Sequence, residues 1–598
     1  MKFNNLLEII TKNYHKNQEN KLSFYNHESS SFVSISIKDF SSKVLNLAVF
    51  LKSITINKGD KVAIFMQPSP FWLMADFAIS SFGAVSVPIF SNISCTNFNF
   101  QIKDSEADVV FLENLSIIEN KNFNFQNISR IIVKNKTLAD ANLITANKGL
   151  EQHIYYLDDI LNNRNDTETT LESLSKDVNQ NDLATIVYTS GTTAMPKGAM
   201  ITHKNFLSQI ESLEKIFDIN SEDSAISFLP MAHIFERMVV FFYLSKNVSV
   251  CFVNDVKNLV NSLQIVKPNL LTAVPRMLEK IMIKIHNGGR SKTLFLRFLF
   301  NLAYLYANKE WSESRKSSIY YKIFNILVYK KLRAIFGGNI KMIICGGASL
   351  DKKIENFYWN IGLKVFVGYG LTETSPVLTV NSPSNHCFGS VGVAIPSVFL
   401  QIAEDGELLA KGENIFLGYY RNQDSTKKVF TDDGMFKTGD FASIDSNGFV
   451  SIVGRKKDVY KTSNGKFVRP NLIEQLVKNH ISFADEVVVV AESRQFVLAI
   501  IFVDEENLNI LKNKHILSID KQDIVKPGKE LENELYHKIE AMNQNLDRWE
   551  QVKKIIIVAK SLSVDNGYLT PSLKVRKNFV FEQYSKIIDE IYLFESEK

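Results

Sequence analysis

The chain has 598 residues, 45% of them hydrophobic and 22% charged, with a net charge of +5. It is too long for one hydrophobic core, so two or more domains are expected in a soluble globular protein. So small a charge excludes the footprint of a nucleic-acid binder. The scattered Cys95, Cys251, Cys345 and Cys387 exclude a zinc ribbon or disulfide framework and fit a reducing cytosol.

The N-terminal stretch MKFNNLLEII has no long apolar core or cleavage site, and no apolar run of about 18 residues occurs, so neither a signal peptide nor a spanning helix is expected. Helical periodicity over 39–51, a strand over 60–66, an apolar helix over 71–82 and a strand over 84–88 predict a doubly wound α/β layer. Residues 162–182 are polar and read as a connector.

The stretch at 183–205, LATIVYTSGTTAMPKGAMITHKN, organises the chain. A buried strand leads into a loop of small and hydroxyl residues, Thr189, Ser190, Gly191, Thr192 and Thr193, that ends at Lys197 and Gly198. A second strand follows, and Thr202 is placed to cap a helix. Hydroxyls, backbone N–H groups and one ammonium in a tight loop suit a triphosphate. It is not a Walker A loop, because Lys197 precedes the last glycine and a strand follows rather than a helix.

Further along, 228–237 reads FLPMAHIFER, with His233 among apolar residues and Glu236 the lone carboxylate. Residues 290–333 hold ten Lys and Arg against two Glu, interleaved with Phe, Leu and Tyr, although the whole chain is only +5. Two readings stand for that segment: a face lying on an anionic membrane, or a hairpin packed on its domain with solvated charges. The rhythm strand, glycine turn, helix, strand, glycine turn over 343–375 places Gly346, Gly347, Ala348, Gly368 and Gly370 at carboxyl ends of strands, where such sheets bind ligands. Alternation over 389–420 predicts a β-rich subdomain, and 486–491 and 496–503 read as strands of a smaller α+β domain.

These motifs, in this order and spacing from about 183 to 577, resemble the adenylate-forming superfamily. LPMAHIFER is similar to its long-chain fatty acid members. The resemblance implies an N-terminal AMP-binding domain to 457 with the β-rich subdomain, and a mobile C-terminal domain over 458–598 hinged at Lys457. It implies ATP and Mg²⁺ as cofactors, coenzyme A as co-substrate, and a fatty acid activated through acyl-AMP. By the same resemblance, Tyr369 packs on adenine, Thr372 meets the α-phosphate and Glu373 helps hold Mg²⁺. Asp440 accepts the ribose hydroxyls, with Arg455 contacting ribose or phosphate, and His233 stands beside the acyl carboxylate. Gly465 and Lys466 lie in the loop that closes for thioester formation, and Lys574 reaches the carboxylate and α-phosphate. Two alternatives stand beside it: a fatty acyl-AMP ligase that passes the acyl group to a carrier protein, and a membrane-docked nucleotide-binding scaffold. A cytoplasmic location, with membrane contact through 290–333, completes the expectation.

Overall fold

The structure is a computed structural model that describes residues 3–14, 21–26, 31–120, 122–136, 154–162, 169–189, 195–290, 294–456, 459–462, 467–520, 523–544, 546–570 and 575–596. Among them, eight strands form one sheet in the order Gly418–Tyr419, Lys197–Thr202, Leu183–Thr189, Val85–Pro88, Lys61–Phe65, Val109–Leu112, Arg130–Val133 and Ile154–Tyr156. From Leu183–Thr189 to Ile154–Tyr156 the pairing is parallel. Both faces are covered, so Val85–Pro88 and Val109–Leu112 are buried throughout and read as continuous apolar runs. Helix Pro70–Ser80 covers this sheet. Ser69 caps it by accepting the Trp72 N–H, proline opens its first turn, and every residue except Phe71 is buried.

A second sheet of nine strands holds Ser224–Ser227, Leu270–Ala273, Met342–Cys345 and Val365–Gly370 in parallel, and Val377–Val380 and Val393–Ala394 continue it antiparallel. The doubly wound expectation therefore holds twice. The β-rich subdomain is built differently from the expectation. Its four-stranded antiparallel sheet takes Val398–Ile402 and Glu407–Gly412 from the anticipated stretch, and Phe436–Ile444 and Val450–Arg455 from beyond it. The short strands Val393–Ala394 and Gly418–Tyr419 instead edge the two large sheets. Period-2 alternation marks a strand but not the sheet it joins.

The C-terminal part has a five-stranded sheet containing Glu486–Val490, Val497–Phe502 and Val552–Val558. Its alternate residues feed two cores: Val487, Val489, Ala499 and Ile501 pack against helix Pro470–His480, while Val488, Leu498, Ile500 and Phe502 pack against helix Lys577–Ser596. Neither core shares a residue with those formed by 3–452. Polar contacts cross between the two parts: Arg276 stands 3.1 Å from Glu486 and 3.5 Å from Asp485, and Asn479 donates to Asp351 at 2.5 Å.

The basic segment is helical, in Leu294–Ala307, Glu313–Lys316, Ile319–Phe324 and Lys330–Ile335, with a π-turn at Asn325–Tyr329. One side packs: Ala303, Ala307, Phe324, Val328 and Tyr329 join the core, and the Tyr329 hydroxyl donates to the Ala303 carbonyl at 2.9 Å. The other side stays apolar and uncovered, with Phe295 75%, Ile319 69% and Ile326 69% exposed and Phe298, Leu305 and Tyr320 beside them in exposure. No described helix is long and apolar enough to cross a membrane.

Candidate active site

The strand Leu183–Thr189 and the strand Lys197–Thr202 form an antiparallel hairpin in which Thr189 faces Lys197 in register. Thr202 caps the following helix, His203–Glu214, with a reciprocal capping box to Asn205. Gly198, paired with Tyr188, is needed in the second strand, since a Cβ there would lie 2.6 Å from the Ile186 side chain. Ser190, Gly191, Thr192 and Thr193 lie outside the described residues.

Tyr419 joins this hairpin to the second glycine turn. It pairs with Ala199 at the sheet edge, and the Lys197 ammonium stands 5.0 Å over its ring. Its hydroxyl donates to Glu373 Oε1 at 2.8 Å, while the Phe416 N–H donates to the Glu373 carbonyl at 2.9 Å. Burial, and then the Glu373 carboxylate, push the phenol's pKa up, so it remains a donor. Lys197 and Glu373, far apart in sequence, thus flank one buried tyrosine. Sequence reasoning gave no role to Tyr419, whose only signal was the Gly-Tyr-Tyr that ends the β-rich stretch.

Thr372 and Glu373 occupy a 3₁₀ turn, both half-buried, at the end of strand Val365–Gly370. Gly370 has no room for a side chain, because a Cβ would lie 1.7 Å from the Pro376 carbonyl oxygen; at Gly368 it would lie 3.2 Å from that of Thr379. The Gly346, Gly347, Ala348 turn follows Met342–Cys345. A Cβ on Gly346 would stand 3.1 Å from the Phe235 ring, which sets this turn against the first residues after His233.

His233 is the N-cap of helix Ile234–Ser245. Its Nδ1 accepts the Phe235 N–H at 3.2 Å, which leaves Nε2 as the protonated position of the neutral ring. Glu236, one turn on, is 1% exposed and accepts the Ser227 hydroxyl at 2.5 Å. Burial pushes its carboxyl up to about 8, so it is neutral at pH 7 and is not a partner for a substrate ammonium. The adjacent Arg237 is also fully buried, a second position to which sequence reading gave no role. Its Nε donates to Asp76 at 2.8 Å, and its other nitrogens donate to Asp76, Thr185 at 2.9 Å and Ser86 at 3.0 Å. The guanidinium also lies over Trp72, Phe206 and Phe241 at 5.6, 5.2 and 5.5 Å. One cation thereby ties helix Pro70–Ser80, the strand that feeds the phosphate loop and the helix that His233 caps.

Asp440 and Arg455 are register partners on adjacent strands, 3.6 Å apart through Oδ1 and Nε. The Tyr369 hydroxyl donates to Asp440 Oδ2 at 2.5 Å, and burial followed by Asp440 holds its pKa well above the usual phenol value. Tyr369 thus packs against the β-rich subdomain, beside Leu408 and Val450. Lys457, Gly465, Lys466 and Lys574 lie outside the described residues.

No cluster of three or more His, Cys, Asp or Glu that could hold a metal occurs among the described residues. That donor set still fits Mg²⁺, which is ordinarily bound by one or two carboxylates, with phosphates and water completing its shell. Glu373, a hard oxygen donor that shares Tyr419 with Lys197, supplies such a carboxylate.

A family model described as AMP-binding enzyme matches residues 12–420, and one described as AMP-binding enzyme C-terminal domain matches 457–596. The long-chain-fatty-acid–CoA ligase FadD15 of Mycobacterium bovis is 31% identical, over 93% of this chain and 92% of that one. The protein of the same name in Mycobacterium tuberculosis is 30% identical over the same shares. Among solved structures, the adenylation domain of a carboxylate reductase from Mycobacterium chelonae has a TM-score of 0.76 at 18% identity, over 98% of this chain and 91% of that one, a likeness of fold. The chain belongs to the AMP-binding enzyme family, as a member of the long-chain acyl-CoA synthetase type.

Proposed function

We propose that this enzyme activates a long-chain fatty acid. A carboxylate oxygen attacks the α-phosphorus of ATP, the α–β phosphoanhydride bond breaks, and acyl-AMP and pyrophosphate result. The sulfur of coenzyme A then attacks the acyl carbon and AMP leaves. The junction of Lys197, Tyr419 and Glu373 carries this reading, because it brings a cation and a carboxylate suited to a metal onto one tyrosine at the hairpin that bears the phosphate loop. The names of the sequence relatives supply the substrate class. Positioning and charge neutralisation provide most of the rate in such displacements.

In this scheme Thr189, Ser190, Gly191, Thr192, Thr193 and Lys197 cradle the phosphates, and Thr372 orients the α-phosphate. Mg²⁺ at Glu373 would neutralise charge on the phosphates. Tyr369, Gly346, Gly347, Ala348, Gly368 and Gly370 form the nucleotide surface, with Asp440 and Arg455 at the ribose. His233 orients the acyl carboxylate and Lys574 completes adenylation. A rotation about Lys457 then withdraws Lys574 and brings Gly465 and Lys466 over the site for thioester formation. Release of AMP from a panel of saturated acids, with ATP and either coenzyme A or an acyl-carrier protein, tests the reaction and its acceptor. Release that needs a carrier protein in place of coenzyme A would overturn the acceptor, and none with any acid would overturn the reaction.

The uncovered face of Leu294–Ala307 and Ile319–Phe324 supports a further element, a cytoplasmic enzyme docked on an anionic lipid surface. The exposed Lys316, Lys322, Lys330 and Lys331 belong to the same segment as the exposed Phe and Ile side chains, the charge and apolar pairing that headgroups and acyl chains would meet. Each such charge is worth about 1 kcal/mol, so changing all four to Gln would remove roughly 4 kcal/mol, or nearly a thousandfold in partitioning. Co-sedimentation with anionic and neutral liposomes at low and high salt checks it. Docking requires salt-sensitive binding to anionic vesicles that the quadruple variant loses.

A further inference from the structure

Glu236 has no part in the scheme above, yet all its bonding is directed at one turn of chain. Ser227, which donates to its Oε1, is the last residue of strand Ser224–Ser227. The backbone N–H groups of Phe228 and Leu229, the next two residues, also bear on this carboxyl. The chain then runs to His233, where the helix carrying Glu236 begins, and the His233 N–H donates back to the Pro230 carbonyl at 3.0 Å. The carboxyl therefore grips, from inside the helix, the strand end from which the His233 loop departs. Its second oxygen is buried beside the Tyr243 hydroxyl, which in turn meets the buried Thr272 Oγ1. Tyr243 lies two helical turns beyond Glu236, and Thr272 is on the neighbouring strand Leu270–Ala273. This polar group is buried in the core.

We propose that Glu236 is a positioning residue for the acyl carboxylate, setting the place of the His233 imidazole by pinning the turn at Ser227, Phe228 and Leu229. The inference rests on the acyl-activating reading. A plain structural brace would affect every substrate alike, whereas this device acts on the acid through His233 and leaves the nucleotide site alone.

The test measures fatty-acid-dependent ATP–pyrophosphate exchange with the full-length enzyme, varying fatty acid and ATP separately. Glu236→Ala is expected to raise the fatty-acid KM about tenfold or more with the ATP KM within about twofold, and Glu236→Gln to return the fatty-acid KM to within about threefold of wild type. The Gln side-chain oxygen accepts the same Ser227 bond. Ser227→Ala keeps the carboxyl and the helix, and decides the matter if Glu236→Ala does not fold. It is expected to raise the fatty-acid KM about threefold, again without change for ATP. An unmoved fatty-acid KM in a folded variant, or acid and ATP values rising together, overturns the role of Glu236 while leaving the reaction intact. A wild-type enzyme inert toward every fatty acid overturns the reaction, and this inference with it.

Discussion

Replacing Glu236 by Gln removes a proton-binding site from the core while keeping its shape. Folding raises this carboxyl from an ordinary 4.5 to about 8 through burial. Between those values the native chain holds a proton that the unfolded chain has released, so stability falls as pH rises through the window, by about 1.4 kcal/mol per unit. The stability is fully present below 4.5. The loss reaches about 3 kcal/mol at pH 7 and levels near 5 kcal/mol above pH 8. Gln carries no such cost, because its amide does not titrate. The difference in stability between variant and wild type should therefore widen by about 3 kcal/mol from pH 5 to pH 7.5. If the roughly 450 residues before Lys457 unfold together, that is about 3 °C in the calorimetric midpoint. A difference that stays constant over this range, or that widens toward acid, would refute the reasoning, because a carboxyl ionised at neutral pH predicts no such trend.

Glu373→Gln keeps the size but removes the charge beside Lys197, and acyl-AMP formation should fall about a hundredfold or more in a pyrophosphate-release assay at ordinary Mg²⁺. Lys574→Ala should abolish adenylation yet largely spare thioester formation from supplied acyl-AMP and coenzyme A, with Gly465→Leu showing the reverse; equal losses of both half-reactions in both variants would refute the two orientations. Gly370→Ala forces a Cβ onto the Pro376 carbonyl, so a thermal midpoint within experimental error of wild type would contradict the packing; a cost of about 1 to 3 kcal/mol is expected.

The hairpin at Leu183–Thr189 and Lys197–Thr202 was legible because local rules coincide there: a two-sided buried strand, a small-residue loop, and a Thr202 to Asn205 capping box. The glycine turns were legible for a similar reason, since Gly370 meets backbone that excludes any side chain. Tyr419 was not, because its partners Lys197 and Glu373 reach it only through pairing across the sheet edge. Glu236 reads as a charge in the sequence and is neutral in the fold, a change that burial alone produces. Helix Leu294–Ala307 is apolar around most of its circumference, so periodicity could not say that Ala303 would be buried and Phe298 left outside.

Arg237 constrains how this architecture can change over generations. A guanidinium stays charged at any pH at which the protein is folded, so losing Asp76 alone would strand a cation beneath three aromatic rings, at a cost of about 3 to 5 kcal/mol. Losing Arg237 alone leaves the Asp76 carboxyl buried without its cation, and burial then drives it to bind a proton, at its own cost. Replacing both with apolar residues of similar volume avoids either penalty, so each single step leads downhill in fitness while the double step is nearly level. Lineages sharing this core should carry the pair intact or lack both members, and a library with the two positions randomised together should return the same two solutions.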